Sequence, residues 1–381
     1  MSASLPLVQL ALFAVAAWMA RRALLPATPS PTAAGAIVMA AGIFGLASFQ
    51  AIPLLPASAM QPFAIGLLVV WGCIAASYAA CGLQGRMATH TAAPMDGLAV
   101  GTWVAGTAVM ARMILQGVPD WRRAAVALAI VALALWLWYL GLALRGFRAV
   151  MASPARLRVT GRILLSTVST QSLVLLAWHL WPGADMLRAP VAGLIVLGYL
   201  FYVVGLALIV QRYLRERQWT LADDWDNTNC ILHGAMSISG LAIAYTGVLP
   251  EWLGMATWLY VLAVLIAVEA VEVARMVQRV RQRGLRQGLL TYHVSQWSRN
   301  FTLGMFYAFT LALAPIFPSH PALSPLMPFV GWLLACGPHI VLFFLLAELG
   351  LWIAANARYG ARKTAAPQSL IVNEYVKEQQ P

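Results

Sequence analysis

Eleven apolar segments, joined by short connections, constrain the fold of this chain more than any other feature of its sequence. A helix needs about 20 apolar residues to cross a lipid bilayer. Only 10% of the residues are charged and 61% are hydrophobic, whereas about a quarter are charged in a soluble domain. The sequence therefore predicts an all-α integral membrane protein. Its segments are residues 5–20, 34–56, 62–82, 94–117, 123–145, 162–182, 189–211, 228–249, 252–275, 294–317 and 328–356.

The first segment differs from the others because it is short and ends at a basic pair, Arg21 and Arg22. A signal peptide has its basic residues before the apolar stretch, and here they follow it. We therefore predict an extra N-terminal transmembrane helix and linker in residues 1–33. A ten-helix domain is expected in residues 34–357 and a cytoplasmic tail in residues 358–381.

The positions of the basic residues predict the orientation. Cytoplasmic connections carry an excess of Lys and Arg. With eleven spans, 21 of the 25 basic residues fall on one side and four (Arg112, Arg122, Arg123 and Arg188) on the other. This predicts a multi-pass protein of the inner membrane, with its N-terminus outside and its C-terminus in the cytoplasm. The net charge of +12 does not indicate nucleic-acid binding, because the basic residues form short clusters between apolar segments.

The last ten segments alternate between two compositions. Residues 100–110, 164–172 and 233–242 are rich in small and hydroxyl side chains, whereas residues 127–144 and 191–210 are bulky. Small residues let helices approach closely, and bulky apolar residues suit contact with lipid. The pattern predicts five helical hairpins, each with one inner and one outer helix, around a central pore. Close helix packing without a pore is the alternative that composition leaves open.

Five ionisable side chains within or beside the apolar segments are candidate functional groups. Glu269 and Glu272 lie three residues apart on one helix, and Arg275 continues that face. Glu272 is three residues before Arg275, a spacing that favours an ion pair on one helix face. Glu348 has no basic residue within a turn, so it could bind a proton. Arg299 could attract anions at a cytoplasmic mouth, or its side chain could simply extend to the membrane interface.

Other chemical signals are weak. Among six histidines, only His233 and His339 are expected within the membrane, where a facing pair could ligate haem. The four cysteines form no CxxC pair, so we expect neither a metal site nor a disulfide. The acidic segment 221–227 could bind a cation or cap the following helix. No nucleotide-binding or hydrolase motif occurs, so we expect no enzyme and no cofactor.

Five motifs, in order along the chain, resemble the tellurite-resistance/dicarboxylate transporter (TDT) family, which includes TehA-like proteins, malate and sulfite exporters and slow anion channels. The motifs occupy residues 38–48, 94–110, 162–178, 232–242 and 297–305. The resemblance implies five hairpins around a quasi-fivefold axis, one pore per protomer and a trimer. It also implies that Phe301 occludes the pore. Thr302 departs from the family's proline, and His233 stands where methionine is common.

These observations predict a transporter or channel for a small inorganic or organic anion, gated by Phe301. Its partners would be the lipid bilayer and two further copies of the chain in a homotrimer. Two alternatives stay open: a proton-coupled exporter of an organic acid or oxyanion (dicarboxylate, sulfite or tellurite) that uses Glu348, and a haem-binding redox protein. The candidate pore-lining donors are Thr102, Thr107, Ser166, Thr167, Ser169, Ser237, Ser239 and Thr302.

Overall fold

The computed structural model describes residues 29–153, 158–216 and 218–365, with side chains up to residue 356. The described residues are largely helical and include no strand, which confirms the all-α class for this part of the chain. Eight of its helical segments are long and apolar enough to cross a membrane. The predicted N-terminal helix, residues 5–20, lies outside the described residues.

Ten principal helices follow the predicted segments from residue 34 onward. The two that are not among the eight apolar spans, α7 and α9, are 16 and 17 residues long. α1 continues as a π-helical turn, Phe44–Ser48. The helices are α1 (Gly35–Ile43), α2 (Met60–Leu83), α3 (Gly101–Gly117), α4 (Arg122–Ala152), α5 (Leu165–Leu180), α6 (Arg188–Arg215), α7 (Ile231–Thr246), α8 (Glu251–Gly288), α9 (Trp297–Leu313) and α10 (Met327–Ala365), with short helices at Ala88–Thr91, Pro94–Ala99 and Leu221–Asp224.

The odd-numbered helices contact one another in a closed cycle. α1 contacts α3, α3 contacts α5, α5 contacts α7, α7 contacts α9, and α9 returns to α1. We call these the five-helix cycle. Each even-numbered helix packs against the cycle: α4 contacts α3 and α5, α6 contacts α5 and α7, and α8 contacts α7 and α9. Most residues of α3 and α5 are buried, but only about a third or fewer of those in the even-numbered spans.

Glycines permit the close approach of helices within the cycle. A Cβ atom added to Gly35 of α1 would lie 2.3 Å from the carbonyl oxygen of Thr102 at the start of α3. One added to Gly234 of α7 would lie 2.1 Å from Cγ2 of Thr302 on α9. Neither contact leaves room for a side chain, so α1 packs against the backbone of α3, and α7 packs against a side chain of α9. This is the role that small residues have at helix contacts in membranes.

Each helix of the cycle is preceded by a short helical turn, and these turns also contact one another around the cycle. They are Thr32–Ala34, Pro94–Ala99, Gly161–Leu164, Asn227–Cys230 and Val294–Gln296. The five helix N-termini therefore lie together at one end of the protein. A helix N-terminus carries a partial positive charge from its unpaired N–H groups. Five such partial charges therefore lie at this end of the protein.

Candidate functional site

The contacts of α9 define which of its sides faces each neighbouring helix. Thr302 lies against Gly234 of α7, and Gly304 lies against Ile43 of α1. α7 and α1 are the two neighbours of α9 in the five-helix cycle. These two contacts divide the surface of α9 into two sectors. One sector faces the interior of the cycle and the other faces the outer helices.

The outer side of α9 is identified by aromatic packing. Phe306 stacks against Trp258 of α8 with the ring centroids 6.0 Å apart. Tyr307 lies against Gly337 of α10. Successive residues of an α-helix are about 100° apart, which places Phe301 in the opposite sector, between the α7 and α1 contacts. Phe301 is 1% exposed, so a buried aromatic ring occupies the side of α9 that faces the interior.

The predicted hydroxyl donors are all buried, and in the structure each donates its hydrogen to a backbone carbonyl. For most of them the acceptor lies three or four residues earlier, and the Thr102 hydroxyl also bonds to the carbonyl of Thr32 at 3.2 Å. Stabilising an anion would therefore require rotation of these hydroxyl groups. The acceptors are the carbonyls of Ala99 for Thr102, Trp103 for Thr107, Ile163 for Ser166, Gly198 for Thr167, Ser166 for Ser169, His233 for Ser237, Ala235 for Ser239 and Arg299 for Thr302.

Two of the predicted donors lie at contacts with outer helices. The Thr167 hydroxyl donates to the carbonyl of Gly198 on α6 at 3.0 Å. The Thr107 hydroxyl oxygen accepts a hydrogen bond from the indole N–H of Trp71 on α2 at 3.1 Å. Both side chains thus hold an outer helix against the five-helix cycle. For the other hydroxyl residues, a role in lining the interior stays a prediction.

Arg299 lies beside two carboxylates that the sequence analysis did not place near it. Its Nη2 atom lies 2.6 Å from Oε2 of Glu272, and its Nε atom lies 3.7 Å from Oε1 of Glu269. The charge of the guanidinium group is thus compensated by carboxylates, and the attraction of anions by Arg299 stays a prediction. Both carboxylates belong to α8, so the arginine joins α9 to an outer helix. The predicted pair of Glu272 and Arg275 is present as well, with an Nη1–Oε2 distance of 3.4 Å.

These charges belong to a larger cluster, which we call the α7–α8–α9 junction: His233, Glu269, Glu272, Arg275 and Arg299. Glu272 accepts a hydrogen bond from the Trp225 indole at 2.8 Å. Asn227, in the turn before α7, accepts one from Arg275 at 2.6 Å and donates one to Ser295 at 2.9 Å. The junction therefore ties α8 to the first turns of α7 and α9.

His233 is a member of this junction that sequence spacing did not indicate. It is fully buried, and its Nε2 atom lies 3.8 Å from Oε1 of Glu269. The two residues are 36 positions apart in the chain, so no helical periodicity connects them. Two sequence signals singled out His233, its expected position within the membrane and its departure from the family's methionine, but neither indicated Glu269 as its neighbour.

The acidic segment before α7 caps a helix, as one of the two sequence hypotheses proposed. The Asp226 carboxylate accepts hydrogen bonds from the backbone N–H and the hydroxyl of Thr228, at 2.8 and 2.6 Å. Burial alone would raise the pKa of Asp226, but the charge of Arg162 and the Thr228 hydrogen bonds bring it below its ordinary value. Asp223 forms an ion pair with Arg283.

His293 has the corresponding position before α9. Its Nδ1 atom accepts a hydrogen bond from the backbone N–H of Ser295 at 3.2 Å, and Gln296 completes a capping box by accepting from the His293 N–H at 2.7 Å. Burial lowers the pKa of His293, and the charge of Arg162 lowers it further. A neutral imidazole is required here, because a protonated Nδ1 could not accept the bond.

Glu348 and the histidine pair can also be placed. Glu348 is buried on α10, and its Oε1 atom has no hydrogen-bond partner among the described residues. His339 is exposed on α10 whereas His233 is fully buried, so the two imidazoles do not face one site. Within the described part of the chain no three His, Cys, Asp or Glu residues could hold a metal. None of the four cysteines, all of which lie within the described residues, forms a disulfide.

No protein-family model matches the chain, and no curated protein matches its sequence. The resemblance described above therefore rests on the five sequence motifs. Chemically, the described residues offer a closed cycle of small-residue helices with five N-termini at one end. A buried phenylalanine faces its interior, and a charge-compensated junction lies beside it.

Proposed function

We propose that this protein moves small anions across a membrane through the interior of the five-helix cycle, with Phe301 as the gate. The observation that carries the proposal is the position of Phe301, buried on the side of α9 opposite the outer-helix contacts. The five helix N-termini at one end of the cycle favour an anion over a cation, since each carries roughly half a positive charge. Such weak, distributed stabilisation lets an ion enter and leave again.

The proposal includes the architecture implied by the TDT resemblance. The ten helices would form five hairpins around a central pore, in an inner membrane, with the C-terminus in the cytoplasm and three protomers per assembly. The contact cycle of α1, α3, α5, α7 and α9 and the asymmetric distribution of basic residues support this arrangement. Under this orientation the five helix N-termini lie on the cytoplasmic side.

Selectivity in this proposal does not depend on a fixed cation. Arg299 and Arg275 are each paired with a carboxylate of α8, so their charge is compensated. The groups left to stabilise a passing anion are the helix N-termini and rotated hydroxyls, among which Thr102, Ser166 and Ser169 belong to α3 and α5. A neutral-to-positive interior of this kind distinguishes anions from cations more strongly than one anion from another.

The test is a chloride flux assay on protein reconstituted in liposomes. Phe301→Ala should raise chloride efflux above that of wild type, because it removes the ring that closes the interior. Phe306→Ala is the matched control: it removes the same side chain from the same helix, but on the side that stacks against Trp258. Equal efflux from wild type and Phe301→Ala, or an equal rise in both variants, would overturn the gate assignment.

A further inference from the structure

His233 is the most completely enclosed ionisable group of the α7–α8–α9 junction. Its relative exposure is 0%, and neither ring nitrogen has a hydrogen-bond partner among the described residues. Oε1 of Glu269, which faces it at 3.8 Å, has no hydrogen-bond partner either. Unpaired polar atoms at this depth cost free energy, and ionisable groups inside membranes mark ion or proton sites by default.

The charges around His233 sum to zero only while its ring is neutral. The charged groups that face it are Glu269 on α8 and Arg299 on α9. From α6, the Tyr202 hydroxyl donates a hydrogen bond to the carbonyl of Leu232, the residue before His233, at 3.0 Å. In the junction as a whole, the two arginines (+2) balance the two glutamates (−2). One proton on His233 would leave a net charge of +1 in a buried site.

This extra charge would lie beside the proposed gate. Gly234, the next residue after His233, contacts Thr302, the next residue after Phe301. A buried net charge is unfavourable unless an opposite charge is near. An anion that enters the five-helix cycle at this level would supply that opposite charge. Proton binding and anion binding would then strengthen each other, and by linkage the effect is reciprocal.

We propose that His233, with Glu269 as its partner, is a proton-binding site that couples proton movement to anion movement. The imidazole takes up a proton from the side where the anion enters and releases it when the anion leaves. This inference rests on the proposed function, because it requires an anion path past Phe301. It assigns the proton to α7 and α8, rather than to Glu348 on α10.

The experiment records chloride uptake and internal pH in the same liposomes, with a pH-sensitive dye in the lumen, under an inward chloride gradient at external pH values from 5 to 8. Wild type, and Phe301→Ala for a larger signal, should acidify the lumen as chloride enters. His233→Asn should take up chloride more slowly, because no protonated imidazole favours anion entry, and the uptake that remains should not acidify the lumen. Glu269→Gln should also lose the acidification, so this variant tests the proton site independently if His233→Asn does not fold. Glu348→Gln is the matched control and should stay coupled.

Three results would overturn this inference: chloride uptake without acidification in wild type, coupling that persists in His233→Asn or Glu269→Gln, or coupling lost in Glu348→Gln alone. A different result bears on the proposed function. If neither wild type nor Phe301→Ala takes up chloride, the anion path itself is wrong. The two failures are therefore distinguishable in one set of measurements.

Discussion

Among the individual residues, Glu272 carries the largest share of the charge compensation in the α7–α8–α9 junction. It is buried and contacts both Arg275 and Arg299. Removing one partner of a buried ion pair leaves the other charge uncompensated, which costs about 3–5 kcal/mol. We therefore expect Glu272→Gln to lower the free energy of unfolding by an amount near the lower end of that range, because Arg299 is 28% exposed.

This prediction is measured by chemical or thermal unfolding of the purified protein in detergent. Glu251→Gln is the matched control, since it makes the same change on the same helix in an exposed pair with His320. Exposed pairs contribute about 0–1 kcal/mol. Comparable losses in the two variants would mean that the junction does not stabilise the fold as the geometry indicates.

His293 predicts an acid-sensitive contribution to stability. Because burial lowers its pKa in the folded state, the unfolded chain binds this proton at a higher pH than the folded protein does. Stability is therefore complete above the ordinary histidine pKa of about 6.5 and falls as the pH drops below it. His293→Asn keeps a capping acceptor but cannot be protonated.

The measurement is the melting temperature between pH 8 and pH 5. The wild type should lose more stability over this interval than His293→Asn. Part of the loss should remain in the variant, because burial also lowers the pKa of His90. An identical loss in both proteins would show that protonation of His293 does not disturb the cap of α9.

At the scale of helices, the contact between α7 and α9 predicts a large effect from one methyl group. Gly234→Ala would place a Cβ atom 2.1 Å from Cγ2 of Thr302. Overpacking of this kind costs about 1–3 kcal/mol. Gly66→Ala on α2 is the control, because nothing lies within 4 Å of its added Cβ; it should be neutral or stabilise by up to about 1 kcal/mol. Unfolding measurements that rank the two variants in the opposite order would contradict the helix contact.

Hydropathy predicted where the helices lie better than where they end. Every predicted segment from residue 34 onward coincides with a helix, but segment 252–275 continues as α8 to Gly288. The added part is rich in arginine and forms a helix outside the apolar stretch. Hydropathy detects only the part that suits a membrane. The helix bends at Gly284, whose φ of 75° is accessible mainly to glycine.

The candidate site could be predicted only in part. Phe301 came from the position of a motif, and the burial of the hydroxyl residues followed from the small-residue helices. The pairing of Arg299 with Glu272 depends on how α8 packs beside α9, 27 residues apart in the chain, which no local pattern encodes. The outward direction of Thr107 and Thr167 depends on how α3 and α5 are rotated about their axes. Because small hydroxyl residues occur on several faces of these helices, the sequence does not determine that rotation.

For the whole molecule, the distribution of basic residues predicts the orientation of the connections. The connection between α9 and α10 should lie outside and that between α8 and α9 in the cytoplasm. Ser319 is an exposed residue of the first connection, and Gln287 is an exposed residue of the last turn of α8, next to the second connection. In a background without the native cysteines, a membrane-impermeant maleimide should label Ser319→Cys in intact cells, and Gln287→Cys only after permeabilisation. The reverse labelling would invert the proposed topology.

In the proposed function, the interior of the five-helix cycle conducts anions and Phe301 closes it. The most direct test of this proposal is the reversal potential of the double variant Phe301→Ala/His233→Asn, which lacks both the gate and the proposed proton site, in a planar bilayer with different potassium chloride concentrations on the two sides. Because five helix N-termini make one end of the path positive, we expect a reversal potential close to the chloride equilibrium potential. A reversal potential close to that of potassium, or currents no larger than those of Phe306→Ala, would contradict it.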